Sequence, residues 1–243
     1  MTSITLSRRL RQIAAYCPPG ARAADIGSDH ALLASYLVVQ NIASFVVAGE
    51  LNEGPYQAAL RQIHTLQQKE RISVRKGDGL AVISPGEVDV VCIAGMGGQL
   101  IASILDAGKE KLAGVSRLIL QPNVGEEIVR RWLQQHGWQL VEETILEEDG
   151  ILYEILVAEQ GDPDIPYQGQ DRSLDELLRL GPLLWRKKPA LLIRKWERER
   201  TKVKQILQQM SRSDRPETVV RRKETEAELK WIDEVIACLQ ADN

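Results

Sequence analysis

Only Glu147-Glu148-Asp149-Gly150 separates two strand-like runs, residues 138–146 and 151–159. Asp-Gly between such runs signals a hairpin, and four residues cannot hold the helix of a parallel crossover. The last strand must therefore run antiparallel to its neighbour. Upstream, apolar runs at 21–27, 45–48, 72–75, 88–94 and 117–120 alternate with helical patterns. The run VDVVCIA at 88–94 reads as a strand buried on both faces. This alternation predicts a doubly wound, mostly parallel sheet. The fold expected is α/β, with seven strands of which the last is antiparallel. A short amphipathic helix over 6–16, capped by Ser7, precedes the first strand, and Cys17-Pro18-Pro19-Gly20 ends it.

Beyond residue 159 the texture changes. Residues 161–169 carry Pro163 and Pro166 and read as a linker, and 174–180 read as a short helix before Gly181-Pro182. Two long helical stretches follow, 189–210 and 216–239, separated by 211–215. Their apolar stripes, among them Leu192, Trp196 and Val203 in the first and Ile232, Val235 and Leu239 in the second, predict an antiparallel coiled-coil-like hairpin. Two domains are expected, 1–160 and 161–243. Charge divides in much the same way. Residues 1–159 hold 14 basic and 19 acidic side chains, whereas 160–243 hold 17 and 15. Nine Lys or Arg fall within 185–204, against Glu197 and Glu199 alone. A basic appendage on an acidic body fits a polyanionic partner, although a solvated helix face gives the same run.

Cys17, Cys92 and Cys238 are scattered and form no C-x-x-C, so neither a disulfide framework nor a zinc site is suggested. His30, His64 and His136 are equally isolated. No apolar run approaches a membrane span. The expectation is a cytoplasmic chain, monomeric, with no metal and no membrane contact.

Ligands of open α/β sheets sit at the carboxyl ends of the strands. The first strand delivers Asp25, Gly27, Ser28, Asp29 and His30 there. Glycine lets backbone N–H groups approach a ligand closely. The second ends in Glu50, 25 residues after Asp25, close to the spacing of a ribose-binding carboxylate. Leu51-Asn52 follows it, with no basic residue for a 2′-phosphate. Asp78-Gly79 follows the third strand, Ala94-Gly95-Met96-Gly97 ends the fourth and Gln121-Pro122-Asn123 the fifth. One such turn occurs in any α/β protein, but a succession of them points to a nucleotide-like ligand. The incomplete G-x-G-x-x-G and the terminal hairpin speak against a dehydrogenase.

A parallel sheet that ends in a hairpin is similar to the Rossmann-like class I methyltransferases that use S-adenosylmethionine. The resemblance sharpens in ADIGSDHALL, AGELNEGPY, GDGL, IAGMGG, LILQPN and EEDGILYE. Together these resemble the bacterial tRNA (adenine-N1)-methyltransferase family known as TrmK, in register over about the first 160 residues and more loosely into the tail. One departure is Leu32-Leu33-Ala34, where the family commonly carries an aromatic residue and a proline; it touches helix packing rather than the site.

The resemblance implies S-adenosylmethionine as cofactor and methylation of N1 of the adenine at tRNA position 22. It implies cofactor contacts from Asp25, Gly27, Ser28, Asp29, Glu50, Leu51, Asp78, Gly79, Ala94, Gly95, Met96 and Gly97. Asp29 and His30 become the catalytic candidates, a carboxylate beside the base with a histidine to orient it. A helix N-cap for Asp29 and a packed, hydrogen-bonded ring for His30 are the other roles open to them. Arg8, Arg9, Arg11 and Asn123 are expected to meet tRNA near the site, and Arg186, Lys187, Lys188, Arg194 and Lys195 to meet it along the tail. A methyltransferase of the same fold acting on another nucleic acid or on a protein is the alternative. A non-catalytic coiled-coil adaptor is a further one.

Overall fold

The computed structural model describes residues 4–210 and 216–241. The stretch 211–215, expected to separate the two long helices, lies outside the described residues. The chain forms two compact units, Met1–Leu183 and Leu184–Asn243. The first contains α1 (Arg8–Ala15), β1 (Ala21–Ile26), α2 (Leu32–Val39), β2 (Ala43–Glu50), α3 (Glu53–Leu66), β3 (Ile72–Lys76), β4 (Val90–Gly97), α4 (Gly98–Ala107), β5 (Arg117–Val124), α5 (Glu126–Gln135), β6 (Trp138–Glu148), β7 (Ile151–Gln160) and α6 (Leu174–Leu180).

Seven strands pair in the order β3-β2-β1-β4-β5-β7-β6. β1 through β5 are parallel, and β7 pairs antiparallel with both β5 and β6. The hairpin turn is Asp149-Gly150, both at positive φ as a two-residue turn of type I′ requires. Inner strands alternate between two apolar layers. Ala23, Val46, Val90 and Ile119 pack on one side with Ile13, Leu37 and Ile63 of α1, α2 and α3. Ala24, Val47, Val91 and Leu118 pack on the other with Ile101, Leu105 and Val129 of α4 and α5. Burial on both faces is why these strands read as apolar runs. The strand order reverses between β1 and β4, so the turns that leave those two strands flank the crevice where such sheets hold ligands.

The domain break expected at 160/161 moves to 183/184. The stretch read as linker and short helix belongs to the first unit. Ser173 caps α6 in a reciprocal capping box with Glu176, and Leu177, Leu178 and Leu180 are buried. Apolar side chains three and four residues apart need a surface to cover them, and α5 lies against α6.

α7 (Pro182–Lys187) precedes the two long helices of the second unit, α8 (Ala190–Met210) and α9 (Pro216–Ala241). Trp196 meets Trp231 edge to face at 5.2 Å, and Thr225 reaches Met210, so the helices run antiparallel. Val203, Ile232, Val235 and Leu239 are buried.

Candidate active site

β1 carries Asp25 to the crevice almost wholly covered, at 4% exposure, between Ala48 of β2 and Cys92 of β4. Its Oδ2 has no hydrogen-bond partner among the described residues. Burial, above all, pushes its carboxyl up to about 7; the Glu50 and Asp29 carboxylates add to this, and the Ala34 N–H works against it. Gly27 follows at φ +71, its N–H donating to the Gly49 carbonyl at 2.9 Å. A Cβ there would lie 2.2 Å from Met96 Cε, a flexible tip that could move, so it is the left-handed φ that calls for glycine at this turn. Ser28 is buried and its hydroxyl donates to Glu50 Oε1 at 3.1 Å. Glu50, 6% exposed at the end of β2, is itself pushed up by burial, with Ser28 and the Asp29 N–H pulling it down.

Asp29, His30 and Ala31 all adopt left-handed backbone, at φ 38, 66 and 55. Such a run is uncommon for residues with a Cβ. Its effect is to turn the Asp29 and His30 side chains outward, 83% and 58% exposed, with His30 Nε2 3.4 Å from Asp29 Oδ1. Ala31, not Asp29, is the N-cap of α2, and no side chain caps that helix. The N-cap role considered for Asp29 is thereby excluded, and His30 is not a packed core histidine.

Asp25, Gly27, Ser28 and Asp29 line a cavity of about 390 Å³ together with Ala94, Gly95 and Met96. Arg9, Leu10, Asn123 and Tyr153 line it too. α1 brings Arg9 there: Ser7 caps the helix, the Arg8 N–H donates to the Glu148 carboxylate, and Tyr16 bonds Thr144 of β6. Of the three arginines read from that helix, only Arg9 reaches the cavity; Arg8 and Arg11 are exposed outside it. Asp78 and Gly79 line a second cavity, about 420 Å³, between the end of β3 and α4. Leu51 is exposed beside Glu50, and Gly97 is the N-cap of α4.

Two residues to which the sequence assigns no site role belong to the first cavity or its wall. Tyr153 of β7 lies under the Arg9 guanidinium, 5.3 Å from ring centroid to Cζ. Gln121 is fully buried behind it and bonded on both sides of its amide. Each stands in a segment that carries the family resemblance, Gln121 in LILQPN and Tyr153 in EEDGILYE, but neither segment says which of its side chains faces the cavity. In the second unit Arg186, Lys187 and Arg194 are exposed. Lys188 lies over the Trp185 ring and Lys195 over Trp196. Among the described residues no three His, Cys, Asp or Glu side chains gather as a metal site needs, and no helix is long and apolar enough to cross a membrane.

The family model described as TrmK, tRNA (adenine(22)-N(1))-methyltransferase, matches residues 23–240. The chain belongs to the TrmK family. A Bacillus subtilis TrmK-family relative, the tRNA (adenine(22)-N(1))-methyltransferase, is 46% identical over 97% of this chain and 99% of its own length. The crystal structure of the B. subtilis enzyme superimposes with a TM-score of 0.89, covering 96% of this chain and 100% of that one. Streptococcus pneumoniae Sp1610, solved in complex with S-adenosyl-L-methionine, is 40% identical with a TM-score of 0.83 over 96% of this chain and 100% of that one.

Proposed function

We propose that this TrmK-family chain uses S-adenosylmethionine to methylate N1 of the adenine at position 22 of tRNA. The observation that carries the reading is one cavity that sets Asp25, Gly27 and Met96 against Arg9, Asn123 and Tyr153. One side fits the cofactor. Asp25 offers a buried carboxylate oxygen without a partner among the described residues, a seat for an ammonium group. Gly27, at φ +71, holds a left-handed turn beside the Met96 tip that a residue with a side chain would strain and crowd. In this reading Asp25 takes the ammonium of the methionine part, Glu50 the ribose hydroxyls, and Asp78 the adenine amino group, with Gly79 leaving room for the ring. Ser28, Leu51 and residues 94–97 line the remainder.

S-adenosylmethionine supplies a methyl group on a sulfonium centre, an electrophile that needs no further activation. Adenine N1 has a lone pair, so the chain contributes mainly by holding it in line. The base becomes cationic on methylation. Asp29, exposed at the cavity with His30 beside it, is the carboxylate that balances this charge or accepts a proton from the N6 amino group. Transfer to a nitrogen lone pair needs no Lewis acid, which supports the metal-free reading. The chain is taken as a monomer of the cytoplasm, where tRNA resides. An adenine within folded tRNA must be extruded to reach the cavity. Arg8, Arg9, Arg11 and Asn123 would hold the nucleic acid near the site. The second unit is read as a tRNA-binding part that acts through Arg186, Lys187, Lys188, Arg194 and Lys195.

The deciding experiment is methyl transfer from labelled S-adenosylmethionine to unmodified tRNA, followed by nucleoside digestion. The product expected is 1-methyladenosine, lost when the adenine at position 22 is replaced. Cofactor binding without transfer to any tRNA would overturn the reading. Phosphate contacts also predict that tRNA affinity falls on the order of 100-fold or more between about 50 and 200 mM salt. A binding constant indifferent to salt would remove those contacts from the account.

A further inference from the structure

Gln121 has no exposed surface, and every hydrogen-bonding position of its amide is occupied. Its Oε1 accepts from Arg9 Nη1 and from the Gly95 N–H, the latter at 3.1 Å. Its Nε2 donates to the Pro122 carbonyl at 2.8 Å and to Asn123 Oδ1 at 3.1 Å. The orientation of the amide is thereby fixed. Rotating it by half a turn would set NH₂ against two donors and the oxygen against two acceptors. Asn123 is fixed in turn, because its Nδ2 donates to the Gly95 carbonyl at 2.8 Å, a group that can only accept. One amide proton and one oxygen lone pair of Asn123 are left at the exposed lip of the cavity. Arg9 is held from two directions, by Gln121 and by the Tyr153 ring.

We infer that Gln121 is a positioning residue for the acceptor nucleotide: from behind the wall it sets the Arg9 guanidinium and the Asn123 amide that the incoming adenosine meets. Arg9 offers an anion-binding fork suited to the phosphate of the extruded nucleotide. Asn123 offers a donor and acceptor pair suited to a base edge. Gln121 itself neither lines the cavity nor reaches solvent, and its one contact toward the cofactor side is the Gly95 N–H. Its bond to the Gly95 N–H also ties this assembly to the end of β4, so acceptor and methyl donor are referred to one piece of backbone. The inference rests on the reading of the chain as a tRNA adenine methyltransferase.

The test is a mutant cycle. Gln121→Met keeps the length and removes all four bonds. Expected is a fall in kcat/KM for tRNA on the order of 100-fold, the scale of a small misplacement in an oriented reaction. Cofactor affinity, read by calorimetry, should stay close to that of the parent, and the thermal transition should remain a single cooperative one, lowered by the loss of the buried hydrogen bonds. In an Arg9→Ala/Asn123→Ala background the same substitution should change kcat/KM by less than about three-fold, since the residues it acts through are gone. Gln121→Glu is the second variant. It retains an acceptor for Arg9 and Gly95 but turns the other oxygen against both Asn123 Oδ1 and the Pro122 carbonyl, so its loss should shrink, without disappearing, in Asn123→Ala. A Gln121→Met loss that persists undiminished in the double background, or that is matched in cofactor affinity, would overturn the inference, and so would no loss at all. Absence of 1-methyladenosine with the parent protein would instead sink the reading beneath it.

Discussion

Replacing Arg130 by Met is expected to destabilise the first unit by about 3–5 kcal/mol, the loss that follows when one partner leaves a buried ion cluster. Arg130 of α5 has no exposed surface. Its Nε donates to Glu143 Oε1 at 2.7 Å, its Nη2 to Glu154, and its Nη1 to the Leu178 carbonyl at 3.0 Å. Glu143 Oε2 accepts the Leu183 N–H at 2.8 Å. One guanidinium thus joins α5, both strands of the hairpin and the end of α6. Burial opposes its charge, and the Glu143 and Glu154 carboxylates outweigh that and hold it ionised. Burial pushes the Glu143 carboxyl up, with Arg130 pulling it back. Gly181 closes the cluster: a Cβ there would lie 2.6 Å from Arg130 Nη2, at a φ of +84.

The sign of the pH dependence follows. Without Arg130, two buried carboxylates lose their cation and titrate higher in the folded chain than in the unfolded one. Stability that such groups contribute is complete below their unfolded values, near 4, and is lost as pH rises through the folded ones. The gap between parent and Arg130→Met should therefore be smaller at pH 5 than at pH 8 in urea titrations. Adding Glu143→Gln and Glu154→Gln should recover part of the gap at pH 8. A gap equal at both pH values would show that lost packing, not uncompensated charge, carries the effect.

This cluster also marks where reading the sequence stops. Arg130-Arg131 stands in a helical run whose acidic partners lie 13 and 24 residues away on two strands. Nothing in an apolar period says that one of two adjacent arginines faces inward. The same blindness displaced the domain break, because 161–169 has linker composition and α6 is short. The role of Gln121 is hidden for the same reason: a buried amide is chosen by its partners, and those come from α1, β4 and the residues beside it. What was legible rests on local rules. Strands buried on both faces read as unbroken apolar runs, and Asp149-Gly150 fixes its own turn. Asp25, Gly27, Glu50 and Ala94 to Gly97 fall at strand ends that the topology must bring to one edge. The left-handed run over Asp29, His30 and Ala31 was not legible, since none of the three is a glycine; it removes the helix cap that was the other role open to Asp29 and leaves an exposed carboxylate.

Asp25→Asn should weaken S-adenosylmethionine binding on the order of 100-fold while making the cofactor-free chain more stable at pH 8, by up to about 4 kcal/mol. Both effects come from one oxygen. In the free chain Oδ2 is buried without a hydrogen-bond partner among the described residues, and the carboxyl titrates at about 7 instead of near its ordinary 3.8. A folded-state value raised this far means that the protonated form is the one the fold favours. Asp25 therefore costs nothing below about pH 4, costs progressively more as pH rises to about 7, and costs a constant amount beyond. The Asn variant escapes that cost, so its advantage in denaturant titrations should be absent near pH 4 and level off above 7. Binding runs the other way. A cationic ammonium group needs the ionised carboxylate, so parental affinity should rise between pH 5.5 and 7.5. The Glu50 and Asp29 carboxylates act on Asp25 through their charge, and Glu50 is itself raised by burial, so a slope that the Asp25→Asn variant retains is not Asp25's own. Equal affinities for parent and variant across that range, measured by calorimetry, would remove Asp25 from the cofactor's seat. A variant that binds weakly but gains no stability would mean that the free chain already neutralises Asp25 by other means. With both effects present, the residue is one that the free fold tolerates at a loss because the bound state requires its charge.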